Sequence, residues 1–262
     1  MLSNIFGRKQ VDRFNEEIDY EIRFLNNKDE NLFMGSFDSF EAAAAGAPKG
    51  KAVGYQNAAE APSMYSHQVC SWDYPSIYWI SDAFSRGMTR VFDLGGHVGI
   101  KYYAFKRLIE YPSDLRWTVC DVPGVVRAGE ELARQRGVDS SLGFCTDPAS
   151  CEGCDVLFLS GSLQYLPVRM ADILRPLQKK PRRIVLNITA THPERTLYTL
   201  NSISFAVCPY RVQHQDEILA EIRSAGYKRE DVWRNDGKEI RIPFVDGGDQ
   251  PYYFGCCFDR AN

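Results

Sequence analysis

A chain of 262 residues with a net charge of −3 carries no basic surplus for holding a phosphate backbone, so nucleic acid is not an expected partner. Its 44% hydrophobic and 25% charged residues suit a soluble globular protein, one domain with a substantial extra segment or two small domains. No run of about 18 apolar residues occurs, which excludes a membrane-spanning helix.

Residues 1–85 read as an N-terminal extension, helical or irregular and without a strong strand, whose expected role is a lid or a dimer contact. In MLSNIFGRKQVDRFNEE, charges interrupt the apolar residues too early for a signal-peptide core, so a cytoplasmic location is expected. FDSFEAAAA predicts a short helix capped by Asp38 or Ser39, and GAPKGKAVG a flexible connection. SWDYPSIYWISDAF, residues 71–84, has apolar residues at helical spacing after Pro75. Its Trp72, Tyr74, Tyr78 and Trp79 would either close over a site or simply pack the helix.

Residues 86–262 alternate between strand and helix patterns. RVFDL is a strand and IKYYAFKRLIEY a helix; WTVCDV is a strand and PGVVRAGEELARQRG a helix opened by proline and closed by glycine. LGFCT is a weak strand, and DVLFLSG is a continuous apolar strand of the kind buried on both faces. VRMADILRPLQ is helical, RRIVLNITA is a strand, and QDEILAEIRSAG is a helix closed by Gly226. YKREDVWRN and YYFGCCFDR close the chain as two strands with no helix between them. The expected fold is therefore α/β: a doubly wound, mostly parallel seven-stranded sheet with an antiparallel C-terminal hairpin.

In such sheets ligands bind beyond the carboxyl ends of the strands. The first of these ends is VFDLGGHVG, where Asp93, Gly95, Gly96, His97 and Gly99 form a glycine-rich turn into a helix. Glycine allows positive φ and a close backbone approach to a ligand. Asp121 ends the second strand, where an acid can accept both hydroxyls of a ribose; it could also cap the helix at Pro123. Asp147 ends the third, beside a nucleoside base or merely in a turn before Pro148. A dinucleotide fingerprint aligned on Gly96 and Gly99 puts Leu94 at its first glycine, which disfavours a nicotinamide-dependent oxidoreductase.

DLGGHVG resembles the first motif, D-x-G-x-G-x-G, of Rossmann-like S-adenosylmethionine-dependent methyltransferases, with His97 at the middle glycine. The closing hairpin is similar to that superfamily's, whose last strand is inserted antiparallel. GSFDSFEAA, FDLGGHVGIKYY, W-x-V-x-D, FLSGSLQYLP, CPYRV and YYFGCCF resemble, in order from about residue 31 to 260, a family of methyltransferases associated with bacterial surface-polysaccharide and O-antigen clusters. Two segments depart from it: relatives more often have Glu where Asp121 stands, and NITATHPE follows another pattern. The resemblance implies S-adenosylmethionine as cofactor, S-adenosylhomocysteine as product, and a sugar, glycan or other small-molecule hydroxyl as acceptor. A non-catalytic binding or scaffold module on the same fold is the other alternative.

The same resemblance places SGSLQYLP (160–167) between methyl donor and acceptor. Ser160 and Gly161 would border the cofactor or simply make the turn, Gln164 and Tyr165 would hold an acceptor hydroxyl or the donor's polar groups, and Leu163 and Leu166 would be core. His192, after the fifth strand, is the candidate proton acceptor, with a solvated loop histidine as the plain alternative. His97 would touch the cofactor, act as a base, or reach a backbone carbonyl; Tyr102 or Tyr103 would line the methionine end or only pack. His214 is expected to start a helix, and His67 has no assigned place. Eight cysteines in apolar contexts read as reduced thiols. Cys151 and Cys154, six and nine residues after Cys145, lack the further ligands of a zinc site, so no metal is expected.

Overall fold

A computed structural model describes residues 2–54, 67–203, 206–245 and 250–261, with side chains from residue 13 onward. Residues 55–66 of the predicted N-terminal extension lie outside the described residues. The chain opens with α1 (Leu2–Leu25), β1 (Leu32–Phe37), α2 (Phe40–Ala45) and the short β2 (Ala52–Val53). Ser39 rather than Asp38 caps α2, its hydroxyl accepting the Ala42 N–H at 3.0 Å. Helix α3 (Tyr74–Ser85) starts with Pro75 in its first turn, where the missing N–H costs nothing.

Alternation then follows the sequence pattern: β3 (Arg90–Leu94), α4 (Ile100–Phe105), β4 (Arg116–Cys120), α5 (Pro123–Gln135), β5 (Leu142–Cys145), β6 (Val156–Ser160) and α6 (Met170–Leu174). Next come β7 (Arg183–His192), β8 (Leu197–Ser202), β9 (Ala206–His214), α7 (Gln215–Ser224), β10 (Tyr227–Glu239) and β11 (Tyr252–Arg260). Helix α4 is shorter than IKYYAFKRLIEY suggests, because the chain turns back and Tyr111 donates its hydroxyl to the Tyr102 carbonyl at 2.7 Å.

Seven strands lie in the order β5-β4-β3-β6-β7-β11-β10, the first five parallel and β11 antiparallel to both neighbours. This is the predicted doubly wound sheet, with the last strand inserted inside the hairpin edge. Apolar side chains cover both faces. Trp117, Phe158, Tyr102 and Phe105 fill one side; Leu157, Leu159, Leu186, Phe254, Ile218 and Ile222 fill the other. Since consecutive strand residues point to opposite faces, an unbroken apolar run such as VLFLS marks a strand covered on both.

Strand β7 departs from the expected length. It pairs with β6 only as far as Ser160↔Asn187, then passes through Ile188 at φ +51° and continues to His192. Asn187 and Ile188 together oppose Gly255 of β11, forming a β-bulge. The bulge is held by side chains: Trp233 Nε1 and Asn235 Nδ2 donate to Asn187 Oδ1 at 3.1 and 2.9 Å, and Asn235 Oδ1 accepts the Ile188 N–H at 3.1 Å. A Cβ on Gly255 would lie 2.3 Å from the Trp233 indole. Gly255→Ala is therefore expected to cost about 2 kcal/mol, the scale of overpacking, read by urea denaturation. A loss under 0.5 kcal/mol, on the scale of an indifferent surface substitution, would contradict a fixed indole.

Beyond the bulge β7 pairs with β9, β9 runs antiparallel to β8, and β8 pairs antiparallel with β1; β2 adds parallel to β9. The N-terminal segment thus contains strands that the sequence pattern did not suggest. LFMGSF has no clean alternation, and its partner strand lies some 165 residues later, as the Thr199 to Met34 hydrogen bond records. The loop after β6 packs under this added sheet: Arg211 of β9 donates to the carbonyls of Leu163, Leu166 and Val168.

Candidate functional site

Chain order reverses between β3 and β6, since β4 and β5 extend one way and β6 and β7 the other. The glycine turn stands at this switch point. Gly95, His97 and Gly99 have φ of +77°, +58° and +87°. Gly96 is required by contact rather than by φ: a Cβ there would be 2.4 Å from Asp93 Cγ, so the backbone lies directly on the carboxylate. Asp93 is buried and accepts from Trp117 Nε1 at 3.1 Å through Oδ2, while Oδ1 has no hydrogen-bond partner among the described residues. Burial lifts its pKa to about 7; Asp121 adds to the rise and the Trp117 bond opposes it.

Asp121 is tied to the same turn. Its Oδ2 accepts the His97 N–H at 2.9 Å and its Oδ1 the Val122 N–H at 2.8 Å, so turn and acid hold one another in place. The alternative of capping α5 is not realised: Val122 is the cap residue, and no side-chain bond is made there. Each carboxylate oxygen keeps a further lone pair for a ligand hydroxyl. Burial raises this carboxyl too, against the two backbone bonds. The His97 imidazole is buried and its pKa falls to about 4, by desolvation first and by His67 second. At neutral pH it is uncharged and a weak base. Asp147 is exposed and accepts the Ala149 N–H at 2.9 Å, capping a 3-10 turn over Pro148–Cys151 at the end of β5.

At the end of β6, Ser160 Oγ is buried without a partner among the described residues. Gly161 has φ +77° and open space beside it, the nearest side-chain atoms being those of Ile188 at 3.9 Å. Gln164 is buried and donates to the Ile188 carbonyl at 3.1 Å. Tyr165 donates to Asn201 Oδ1 at 2.8 Å and meets the Tyr210 ring edge-on at 4.9 Å. Both therefore join the loop after β6 to its neighbours. His192 is the buried last residue of β7 and not a solvated loop histidine. Because β7 runs on past Asn187, His192 lies five residues beyond the carboxyl end shared with β6, roughly 16 Å at strand rise. It is buried, and its Nδ1 accepts the N–H groups of Glu194 and Arg195 at 3.0 and 3.3 Å, fixing a turn.

Tyr102 packs in the core with its hydroxyl 2.6 Å from Ser141 Oγ. The Tyr103 hydroxyl and His67 Nε2 are buried and unpartnered among the described residues, and their rings lie 5.0 Å apart. His214 stands at the start of α7 as the pattern suggests. Trp72, Tyr74, Tyr78 and Trp79 divide: Tyr74 and Tyr78 are exposed, while Trp79 donates to Asp231 at 3.1 Å. All eight cysteines are free thiols, and the described residues contain no cluster of three or more metal-ligating side chains.

Sequence reasoning missed the latch on this site. Asp73 is fully buried; its Oδ1 accepts from Lys101 Nζ of α4 at 2.6 Å and its Oδ2 accepts the Cys70 N–H at 3.0 Å. The two residues are 28 positions apart, so no local spacing rule joins them. Unpartnered polar atoms of Asp93, Tyr103, Ser160 and His67 gather around the turn, α4 and the end of β6, the surroundings a polar ligand would satisfy. Cavities of about 510 Å³ beside Trp233 and Tyr252, and about 480 Å³ beside Tyr20 and Phe244, are not lined by these residues.

No protein-family model matches the chain, and no curated protein matches it. Among solved structures it is similar to an S-adenosylmethionine-dependent methyltransferase from Clostridium acetobutylicum ATCC 824, at 10% identity and TM-score 0.49 over 74% of this chain and 93% of that one. It is similar to the N-terminal domain of EvdMO1 in the presence of SAH and D-fucose, at 15% identity and TM-score 0.49 over 79% and 95%. It is also similar to magnesium protoporphyrin IX methyltransferase (ChlM) from Synechocystis PCC 6803 with bound SAM, at 12% identity and TM-score 0.47 over 93% and 91%. Likeness at this level assigns no function to the chain. What the chain itself presents is a glycine turn bonded to a strand-end acid at the switch point of a doubly wound sheet.

Proposed function

We propose that this protein is an S-adenosylmethionine-dependent methyltransferase acting on a hydroxyl of a small molecule or a sugar of a glycan. The observation that carries the reading is the His97 N–H to Asp121 bond, which holds glycine turn and acid together where β3 and β6 diverge. The insertion of β11 between β7 and β10 supports it. Asp121 would take the ribose hydroxyls and Asp147 would lie beside the base. Gly95, Gly96 and Gly99, with the open side of Gly161 and the Ser160 hydroxyl, would border the amino-acid part. S-adenosylmethionine supplies, when bound, a methyl group on a sulfonium.

The chain's own task is alignment: an acceptor oxygen has to be held about 3 Å from that methyl, away from water. Gln164, Tyr165 and the sheet of β9, β8 and β1 border the acceptor side, and the Asp73–Lys101 latch holds the segment before α3 against α4. His192 is left out of the proton transfer, because its Nδ1 lone pair is committed to the backbone. Resemblance to methyltransferases of surface-polysaccharide clusters favours a sugar hydroxyl and a cytoplasmic site of action. A homodimer belongs to the same reading, supported by Phe14, Ile18 and Ile22, exposed four residues apart along α1.

Calorimetric titration with S-adenosylmethionine, S-adenosylhomocysteine and NADH tests it, repeated on Asp121→Ala. Micromolar binding of the first two is expected, weakened 10- to 100-fold in the variant by the loss of hydrogen bonds to a charged acceptor. Binding of NADH alone would instead favour the oxidoreductase, and silence from all three a scaffold.

A further inference from the structure

The hairpin of β10 and β11 carries an irregularity beside the segment before α3. Register runs from Arg234↔Phe254 to Glu239↔Tyr252, so β10 advances five residues (234 to 239) while β11 advances two (254 to 252). The three extra residues bulge toward the segment before α3. Asn235 Nδ2 donates to the Trp72 carbonyl at 3.2 Å, and Gly237, at φ +90°, sits against the Trp72 ring. This docked bulge presents Lys238, half-buried, with Nζ 5.0 Å from the centre of the Tyr253 ring.

Charge around Lys238 does not balance. The bulge packs on Ser71 and Trp72, next to Asp73, and the charged groups that act on Lys238 are Lys101 and Asp73. Asp73 has already committed one oxygen to Lys101 and the other to the Cys70 N–H. Two ammonium groups therefore share one carboxylate, and Lys238 has no carboxylate of its own within ion-pair distance among the described residues. Burial lowers the Lys238 pKa, and Lys101 lowers it further, against Cys70 and Asp73. A desolvated ammonium without a counter-charge is costly, and a bound anion would relieve that cost.

Lys101 follows Gly99 by two residues on α4. The Tyr253 hydroxyl lies 3.0 Å from that of Tyr210, whose ring meets Tyr165 in the loop after β6. Lys238 is thus linked through Tyr253 and Tyr210 to the loop after β6.

We propose that Lys238 is an anion subsite that takes a carboxylate of a bound ligand, supplying the counter-charge that Asp73 leaves missing. Two ligands could bring that carboxylate: the cofactor, through its amino-acid end, or an acidic sugar acceptor. The cofactor arm rests on the methyltransferase reading; the acceptor arm does not.

The test titrates the full chain, Lys238→Met and Lys238→Arg with S-adenosylhomocysteine, with 5′-methylthioadenosine, which lacks the amino-acid end, and with glucuronate against glucose. A tenfold or greater loss of S-adenosylhomocysteine affinity in Lys238→Met, with 5′-methylthioadenosine unchanged and Lys238→Arg retaining most of the affinity, identifies the cofactor's carboxylate. Unchanged S-adenosylhomocysteine binding with a glucuronate signal that glucose lacks and Lys238→Met abolishes identifies the acceptor's. If neither ligand distinguishes Lys238→Met from the parent, the subsite is overturned. Should the parent bind no S-adenosylhomocysteine, the methyltransferase reading fails separately, and glucuronate still decides the subsite.

Discussion

Asp93→Asn is expected to weaken S-adenosylmethionine binding 10- to 100-fold while raising the melting temperature of the ligand-free protein at pH 8. Both effects come from one buried carboxyl. Its pKa stands at about 7 against an ordinary 3.8, chiefly through burial. Between those values the folded protein holds a proton that the unfolded chain releases. The contribution to stability is therefore complete below about pH 4 and is lost as pH rises through 7. At pH 8 the ionised form costs roughly 4 kcal/mol, at 1.36 kcal/mol for each of about three pH units. Asparagine has nearly the same shape and can still accept from Trp117 Nε1, so it removes that cost without opening a cavity.

Binding responds in the opposite direction. A ligand carrying a sulfonium and an ammonium favours ionised Asp93, which stands under the turn with Oδ1 unpartnered. Parent affinity for S-adenosylmethionine should accordingly rise from pH 6 to pH 8, whereas the Asp93→Asn variant should show a flat profile. Calorimetry at the two pH values and thermal denaturation at pH 8 measure both. At 2–4 °C per kcal/mol for a chain of this size, recovery of even half the cost is a shift of several degrees. A parent affinity indifferent to pH would remove Asp93 from the ligand site.

Arg183→Ala is expected to destabilise the fold by about 3–5 kcal/mol, the range for removing one partner of a buried ion pair. The Arg183 side chain is wholly buried. Its Nε and one terminal nitrogen donate to the two Asp259 oxygens at 2.6 and 2.8 Å, and the other terminal nitrogen donates to Asp82 at 2.7 Å and to the Trp79 carbonyl at 2.9 Å. Burial by itself would lower its pKa; the bonds to Asp259 and Asp82 outweigh that and raise it. One guanidinium thus fastens α3 to β7 and β11, using the planar donor fork that lysine lacks. Total stability is typically 5–15 kcal/mol, so the loss is a large share of it. Urea denaturation reads the loss, and S-adenosylhomocysteine affinity should fall with it, since the Asp73 latch precedes α3. Arg183→Met combined with Asp259→Asn should recover part of the stability, because Asp259 then leaves no charge opposite an apolar side chain and Asp82 keeps Arg86 at 2.9 Å. A loss below 1 kcal/mol in Arg183→Ala would mean that solvent reaches the carboxylates and screens the pair.

Much of the molecule was written locally. Apolar runs of four or five residues separated by amphipathic stretches determined β3, β4, β5 and β6, because strand and helix periods are properties of neighbouring residues. Pro75, Pro123 and Gly226 marked helix ends for equally local reasons. Asp93, the glycines and Asp121 were legible as a group, since strand ends in a doubly wound sheet converge whatever the loops do. Other features came only from contacts between residues far apart. The bulge at Asn187 and Ile188 depends on Trp233 and Asn235, and it carries His192 past the level where a strand of ordinary length would have left it. β1 becomes a strand because β8 offers it an edge, and Arg183 is buried because Asp82 and Asp259 arrive from two other elements. No local pattern singles out Lys238; three extra residues in β10 bring it against the segment before α3. Periodicity determined which segments form the sheet; long-range pairing decided which polar side chains lose their water and so which of them must be answered by a partner or a ligand.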